Sequence, residues 1–337
     1  GRTGEEQTPI IVEGLLTESI IGVSCGDGQT LAITASGDVW GWGCFKDKEG
    51  NKWFNPSINA AVPYKDIKKQ QNTPIQISGL SHIAELSSGS GFSLARSDSG
   101  DVYSWGIGEC GELGRDTIVL KDGRSMSEST YLSTVLSNHL TPGPIYLSDG
   151  KIVKDVTSVG CGAYHSLIVT VGGSLFTCGL NNYGQLGLND SVARDRLHRV
   201  DKLDSCKILS AKGGMHHSLA LASDGLLYTW GRSDYCQLGI KTNKSAAGDF
   251  TNYPVKPEIN DTIIQISCGS NHNLALSKSN KVYTWGYGDM SALGHGVDRD
   301  EVIPRAIDTT KLGNITITQV SGGGQHSAII GQVVTSN

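Results

Sequence analysis

The side chains best suited to chemistry here are 9 histidines and 8 cysteines among 337 residues. His165, His217, His272 and His326 each stand four residues after Cys161, Gly213, Cys268 and Gly322. A fixed place in a recurring segment marks a packing role, so these rings are expected to bond backbone between neighbouring segments. His216 and His217 are adjacent. Neighbours on a strand point to opposite faces, so the two would not chelate one metal. Cys25, Cys44, Cys110, Cys161, Cys178, Cys206, Cys236 and Cys268 form no C-x-x-C pair and lack zinc-ligand spacing, so they read as free thiols. No H-E-x-x-H, G-x-S-x-G or G-x-x-x-x-G-K-[ST] occurs. The expectation is a protein that does no covalent chemistry and holds no metal or cofactor.

Composition points to recognition on a β scaffold. Lys and Arg number 28 against 33 Asp and Glu, a net charge of −5, which argues against coating nucleic acid by charge alone. No apolar run approaches the ~18 residues of a membrane-spanning helix, so no membrane contact is expected. Gly1-Arg2-Thr3-Gly4-Glu5-Glu6 lacks an apolar secretory core. The 44 glycines are about twice the usual share and favour many tight turns.

A repeat accounts for the glycines. Cys25, Ser88, Cys161, Gly213 and Cys268 open five copies, each followed at once by Gly. Gly37, Gly100, Gly173, Gly225 and Asn280 come twelve positions on, and Gly43, Gly106, Gly179, Gly231 and Gly286 eighteen on. The residue before that second glycine is Trp42, Trp105, Cys178, Trp230 or Trp285. Gly114, Gly187, Gly239 and Gly294 each follow Leu; the first copy has Asn51 instead. Apolar runs such as Ser166–Thr170, then a Gly or Asn turn, then a strand with an aromatic (Trp40, Tyr103, Phe176, Tyr228, Tyr283) describe a hairpin. A short strand upstream and a Pro-led extended piece downstream complete four strands per copy. The predicted fold is all-β: one β-propeller of four-stranded blades over residues 1–337. Blades fall near 15–80, 81–150, 151–205, 206–260 and 261–318, and 319–337 is a closing partial repeat. The Trp-Gly pairs are expected to pack between blades.

Cys161-Gly162-Ala163-Tyr164-His165-Ser166, the Trp-Gly pairs and Tyr183-Gly184-Gln185-Leu186-Gly187 resemble the repeat of the regulator of chromosome condensation family. The resemblance covers essentially the whole chain. It implies seven blades, of which five are visible and two would lie upstream. It also implies nucleotide exchange on the Ran GTPase at chromatin, in the nucleus. A non-catalytic binding or scaffold propeller, such as a ubiquitin-ligase module, is the alternative, because a repeat does not fix function.

Two insertions carry the finer reading. The segment 44–72, opening Cys44-Phe45-Lys46-Asp47-Lys48-Glu49-Gly50-Asn51 after Gly43, is similar to the family's β-wedge, placing Lys46 and Asp47 against the GTPase. The segment 115–143 is similar to a switchback loop, with Asp122-Gly123-Arg124 presenting Arg124 to the acidic patch of the histone dimer. DNA contact would need a basic tail outside this sequence. The residues after each Gly pair vary between copies, as suits a recognition rim. Asp27, His216 and His326 are the rim positions that the resemblance places at the GTPase. Gly91 stands where the family has a further acidic residue, for which Glu85 or Asp98 would have to substitute.

Overall fold

The computed structural model describes residues 10–55, 67–117, 127–241 and 248–334. The first sheet orders β1 (Ile20–Cys25), β2 (Gln29–Thr34), β3 (Val39–Gly43) and β6 (Gln71–Gln76), with β4 (Phe45–Lys46) and β5 (Lys52–Trp53) forming a separate hairpin between β3 and β6. The second contains β7 (Ile83–Ser88), β8 (Phe92–Ser97), β9 (Val102–Gly106) and β10 (Gly143–Pro144). The third contains β11 (Val156–Cys161), β12 (His165–Thr170), β13 (Leu175–Gly179) and β14 (Arg194–Arg199). The fourth contains β15 (Ile208–Gly213), β16 (His217–Ala222), β17 (Leu227–Arg232) and β18 (Phe250–Val255). The fifth contains β19 (Ile263–Cys268), β20 (His272–Ser277), β21 (Val282–Gly286) and β22 (Glu301–Ala306), and a last pair joins β23 (Ile315–Gly322) to β24 (Ser327–Val333). The five four-stranded antiparallel sheets are those of a β-propeller. The chain divides into two compact units, residues 1–159 with 195–197, and residues 160–194 with 198–337.

The repeat sequence writes the same local geometry into each blade. The first strand bulges at Ile20/Gly22, Ile83/Glu85, Ile208/Ser210 and Ile263/Gln265. Asn280 sits at φ 62°, where the other copies have glycine at about 80°, because asparagine tolerates the left-handed region.

In the second unit, the central strand of a blade is buried on both faces and serves two cores. Leu219 and Leu221 pack with Ile263, Ile266 and Trp285 of the fifth sheet. Ala220 and Ala222 on the opposite face pack with Leu167, Val169 and Trp230. Large residues on one face and small ones on the other let neighbouring sheets interdigitate. Of the Trp-Gly tryptophans, Trp230 and Trp285 lie in these seams, fully buried, whereas Trp42 of the first sheet is half-buried.

Three of the repeat histidines bond side chains of the next copy, and the His272 ring also meets the His326 backbone. His165 Nε2 meets Ser218 Oγ at 2.8 Å, His217 Nε2 meets Asn273 Oδ1 at 2.8 Å, and His272 Nε2 meets Ser327 Oγ at 3.0 Å. Ser218 gives its one proton to the Gln185 carbonyl, so His165 must donate through Nε2. The Asn273 amide likewise donates to the Gln237 carbonyl, leaving its oxygen to accept from His217. Each Nε2 is thereby paired, while the buried Nδ1 of His165 and of His217 has no partner among the described residues. Burial, with lesser effects from other histidines, pushes the His165 pKa to about 3 and that of His217 to about 4. Burial also pushes His272 to about 4. All three rings are expected to show no titration by NMR between pH 8 and 5, in the Nε2–H tautomer throughout; a midpoint near 6.5 for any of them would contradict this relay.

In the first unit, the segment 115–143 is not simply a loop. Among its described residues, helix α1 (Glu128–Val135) runs into a π-helical turn at Leu136–Leu140. Ser127 caps the helix by accepting from the Thr130 N–H. Ser and Thr are poor helix formers, so the helix is held by burial: Val135, Leu136 and Leu140 join Phe45, Phe54 and Trp105 in one core. Arg115 fixes its far end, giving Nη2 to the carbonyls of Ser104, His139 and Thr141. Arg124 lies outside the described residues.

Candidate functional site

The hairpin β4–β5 is anchored at its base and exposed at its tip. Phe45 and Phe54 are buried at 2% and 1% and stack with ring centroids 6.1 Å apart. Trp53 meets the Tyr131 ring of α1 edge-on at 6.5 Å. At the tip, the Lys48 backbone N–H donates to Glu109 Oε2 at 3.0 Å, and its ammonium pairs with Glu109 Oε1 at 3.2 Å.

Lys46 lies beside the rim. A Cβ on Gly28 would come 3.6 Å from Lys46 Cε, so the lysine stem runs over the loop that carries Asp27. That loop is linked to the next by the Asp27 N–H donating to the Ser90 carbonyl at 3.3 Å. Asp27 and Lys46 are both exposed. The structure therefore brings Asp27, Lys46 and Asp47 into one region of the first unit. The hairpin is folded onto the core, yet on the side that faces this rim.

Asp47 has a different job from Lys46. Its Oδ1 accepts from the backbone of Glu49 and Asn51, and its Oδ2 from Asn51 Nδ2 and Trp53 Nε1. The carboxylate is spent on shaping the turn. Asp47→Ala is expected to disorder residues 47–53 while leaving the blades folded; accelerated hydrogen exchange confined to those amides would be the sign, and unchanged protection would refute the role.

Gly91 has a steric reason. A Cβ there would stand 2.8 Å from the Lys46 carbonyl oxygen, so the wedge strand occupies the space an acidic side chain would need. Neither suggested substitute replaces it. Glu85 is held by Arg96 Nε at 3.2 Å and accepts from Ser158 and Val159. Asp98 follows β8 at the end away from Gly91, roughly 20 Å along a six-residue strand.

In the second unit, rim loops are joined in series by backbone bonds, Ala163 to Gly214, Met215 to Ser270 and Ser270 to Gly323. His216 and His326 belong to this rim. His216 stacks on Tyr164 at 6.1 Å and lies 5.0 Å from Tyr183. Burial and then Arg232 lower its pKa, so the ring is neutral at pH 7. His326 is exposed, its ring folded over Gly323. Sequence reasoning missed Arg232. Its guanidinium lies 4.9 Å from the Tyr183 ring centre and 5.2 Å from that of Tyr235. It bonds Asp234 through two contacts of 2.7 Å. Tyr183 and Tyr235 share one repeat position, which was the available signal that their rings would flank something between them. The resulting stack is rigid, partly exposed and aromatic, as suits protein recognition.

Among the described residues no helix is long and apolar enough to cross a membrane. Pim1 of Schizosaccharomyces pombe is 32% identical over 97% of this chain and 58% of its own length. The ultraviolet-B receptor UVR8 of Arabidopsis thaliana is 29% identical over 93% and 63%. The guanine nucleotide exchange factor SRM1 of Saccharomyces cerevisiae is 29% identical over 96% and 64%. The chain thus spans about three fifths of the length of the curated relatives it matches. The solved structure of Prp20p from Saccharomyces cerevisiae, described with its binding to Gsp1p and histones, superposes with a TM-score of 0.77 at 26% identity, covering 95% of this chain and 70% of that one. A model of the RCC1-like domain matches residues 1–329, and with its repeat and four-stranded blades the chain belongs to that family.

Proposed function

We propose that this chain is the propeller of a guanine-nucleotide exchange factor for a Ran-type GTPase, acting at chromatin in the nucleus. The observation that carries the reading is the cationic hairpin: Lys46 exposed beside Asp27, on a strand whose base is fixed in the core by Phe45 and Phe54. A relative named as a guanine nucleotide exchange factor, and one described with its binding to Gsp1p and histones, support it.

No bond is made or broken in the propeller. An exchange factor binds the nucleotide-free GTPase more tightly than the loaded one, and by linkage lowers nucleotide affinity by the same factor. Each tenfold acceleration of release needs about 1.4 kcal/mol of such differential binding. A wedge fixed at its base loses little entropy on insertion. Lys46 supplies a charge there, Asp47 holds the turn, and Asp27, His216 and His326 contribute from the rim. Arg124 would serve the histone contact.

Lys46→Ala is expected to slow GDP release from a loaded GTPase by about tenfold to a hundredfold, the worth of one desolvated charged contact. An unchanged rate, in a variant that still binds the GTPase, would refute the wedge. The non-catalytic alternative draws on one observation, the full occupation of the Asp47 carboxylate inside the hairpin. It predicts no capture of nucleotide-free GTPase.

A further inference from the structure

A concavity lies between the β4–β5 hairpin and helix α1. It measures about 880 Å³ and is lined by Lys52, Trp53, Ile67, Lys68, Lys69 and Tyr131 among others. None of its three lysines has an acidic partner among the described residues. Lys52 Nζ reaches the Gln70 side-chain oxygen at 3.3 Å and Lys68 Nζ that of Gln71 at 3.4 Å, while Lys69 makes no polar contact among the described residues. The carboxylates near Tyr131 are Asp47, Glu109 and Glu49, which after burial raise its phenol pKa. Asp47 is bound within the turn and Glu109 is paired with Lys48, so these two are engaged inside the hairpin and at its tip. In a chain of net charge −5, the three lysines give this cleft a positive wall over an apolar floor among the described residues.

We infer that this cleft is a docking site for an acidic peptide segment of a protein partner, its carboxylates on Lys52, Lys68 and Lys69 and an aliphatic side chain against Trp53 and Ile67. Charge complementarity selects the sign, and the floor selects a peptide over nucleic acid. Trp53 packs its neighbour Tyr131 at an interplanar angle of 68° and its Nε1 is tied to Asp47, so the two rings do not form parallel walls for a base. The site does not depend on nucleotide exchange.

The test uses the full chain and a fluorescein-labelled peptide of glutamates interrupted by leucines, followed by anisotropy. Lys69→Glu is expected to weaken binding about fivefold, and a Lys52→Gln, Lys68→Gln, Lys69→Gln triple variant about thirtyfold, with raised salt weakening the parent's binding. Because Lys69 has no partner among the described residues, Lys69→Glu should leave the thermal midpoint unchanged. Equal peptide binding by parent and Lys69→Glu would overturn the site. So would oligothymidylate of the same charge binding as tightly as the peptide or more tightly, since the cleft would then take nucleic acid. No GTPase is present in this assay, so its outcome and that of the exchange measurement are independent.

Discussion

Trp230→Ala is expected to lower the unfolding free energy by about 3–5 kcal/mol, the cost of removing a fully buried aromatic ring and leaving a cavity. Trp230 is 0% exposed, packed with Leu167, Val169, Leu175, Ala211 and Ala220. Its Nε1–H donates to the Gln185 carbonyl at 2.8 Å. Gly187 approaches so closely that a Cβ there would stand 2.9 Å from that nitrogen. Little can therefore collapse into the space. Chemical denaturation would read the loss; a cost below about 1 kcal/mol would mean that the seam repacks. A comparison sharpens it. Trp105 holds the same repeat position and is 1% exposed, but no acceptor pairs with its Nε1. Trp105→Phe should therefore cost less than Trp230→Phe, by about the net worth of one hydrogen bond, roughly 1 kcal/mol.

Glu112→Gln should stabilise the protein by about 5 kcal/mol at pH 9 and by no more than about 1 kcal/mol at pH 5. Glu112 occupies the repeat position of Gln185 and Gln237, and its Oε2 accepts from the Cys110 N–H at 2.7 Å, as the glutamine oxygens accept from Tyr183 and Tyr235. Glu109 stands where Asn182 accepts from Gln185 in the third blade. Burial, and to a lesser degree the charge of Glu109, push the Glu112 pKa up to about 8. The folded protein thus keeps a proton that the unfolded chain releases near pH 4.5. Stability from this group falls as pH rises between those values, by about 1.4 kcal/mol per unit at most, and stays low above pH 8. Paired denaturant titrations of parent and variant would test it. A difference that does not grow from pH 5 to pH 8 would show that Glu112 ionises freely.

The fold was legible because the repeat is ungapped: glycine and Trp-Gly positions recur in register, and each falls at a turn or seam. The 128–140 helix was not legible. Its Ser and Thr residues have weak helix propensity, and only the docking of Val135, Leu136 and Leu140 against Phe45 and Phe54 decides it. The family resemblance pointed to Lys46 and Asp47 together, but the turn-shaping bonds of Asp47 were not legible. Which way a turn carboxylate faces depends on backbone N–H groups two and four residues on. Arg232 escaped notice because its partners Tyr183 and Tyr235 come from different blades, one of them far away in sequence.

The hairpin also occupies the seat of an ordinary repeat turn. In the other blades that turn gives a carbonyl to the next tryptophan, Gln185 to Trp230 and Gln237 to Trp285. The first copy has no such turn, and Trp105 instead packs with Phe45 and Phe54 at the hairpin's root. Its indole is thereby an intrinsic optical gauge. With the other tryptophans replaced by phenylalanine, any tilt of the hairpin on meeting a GTPase would register as a change in emission colour.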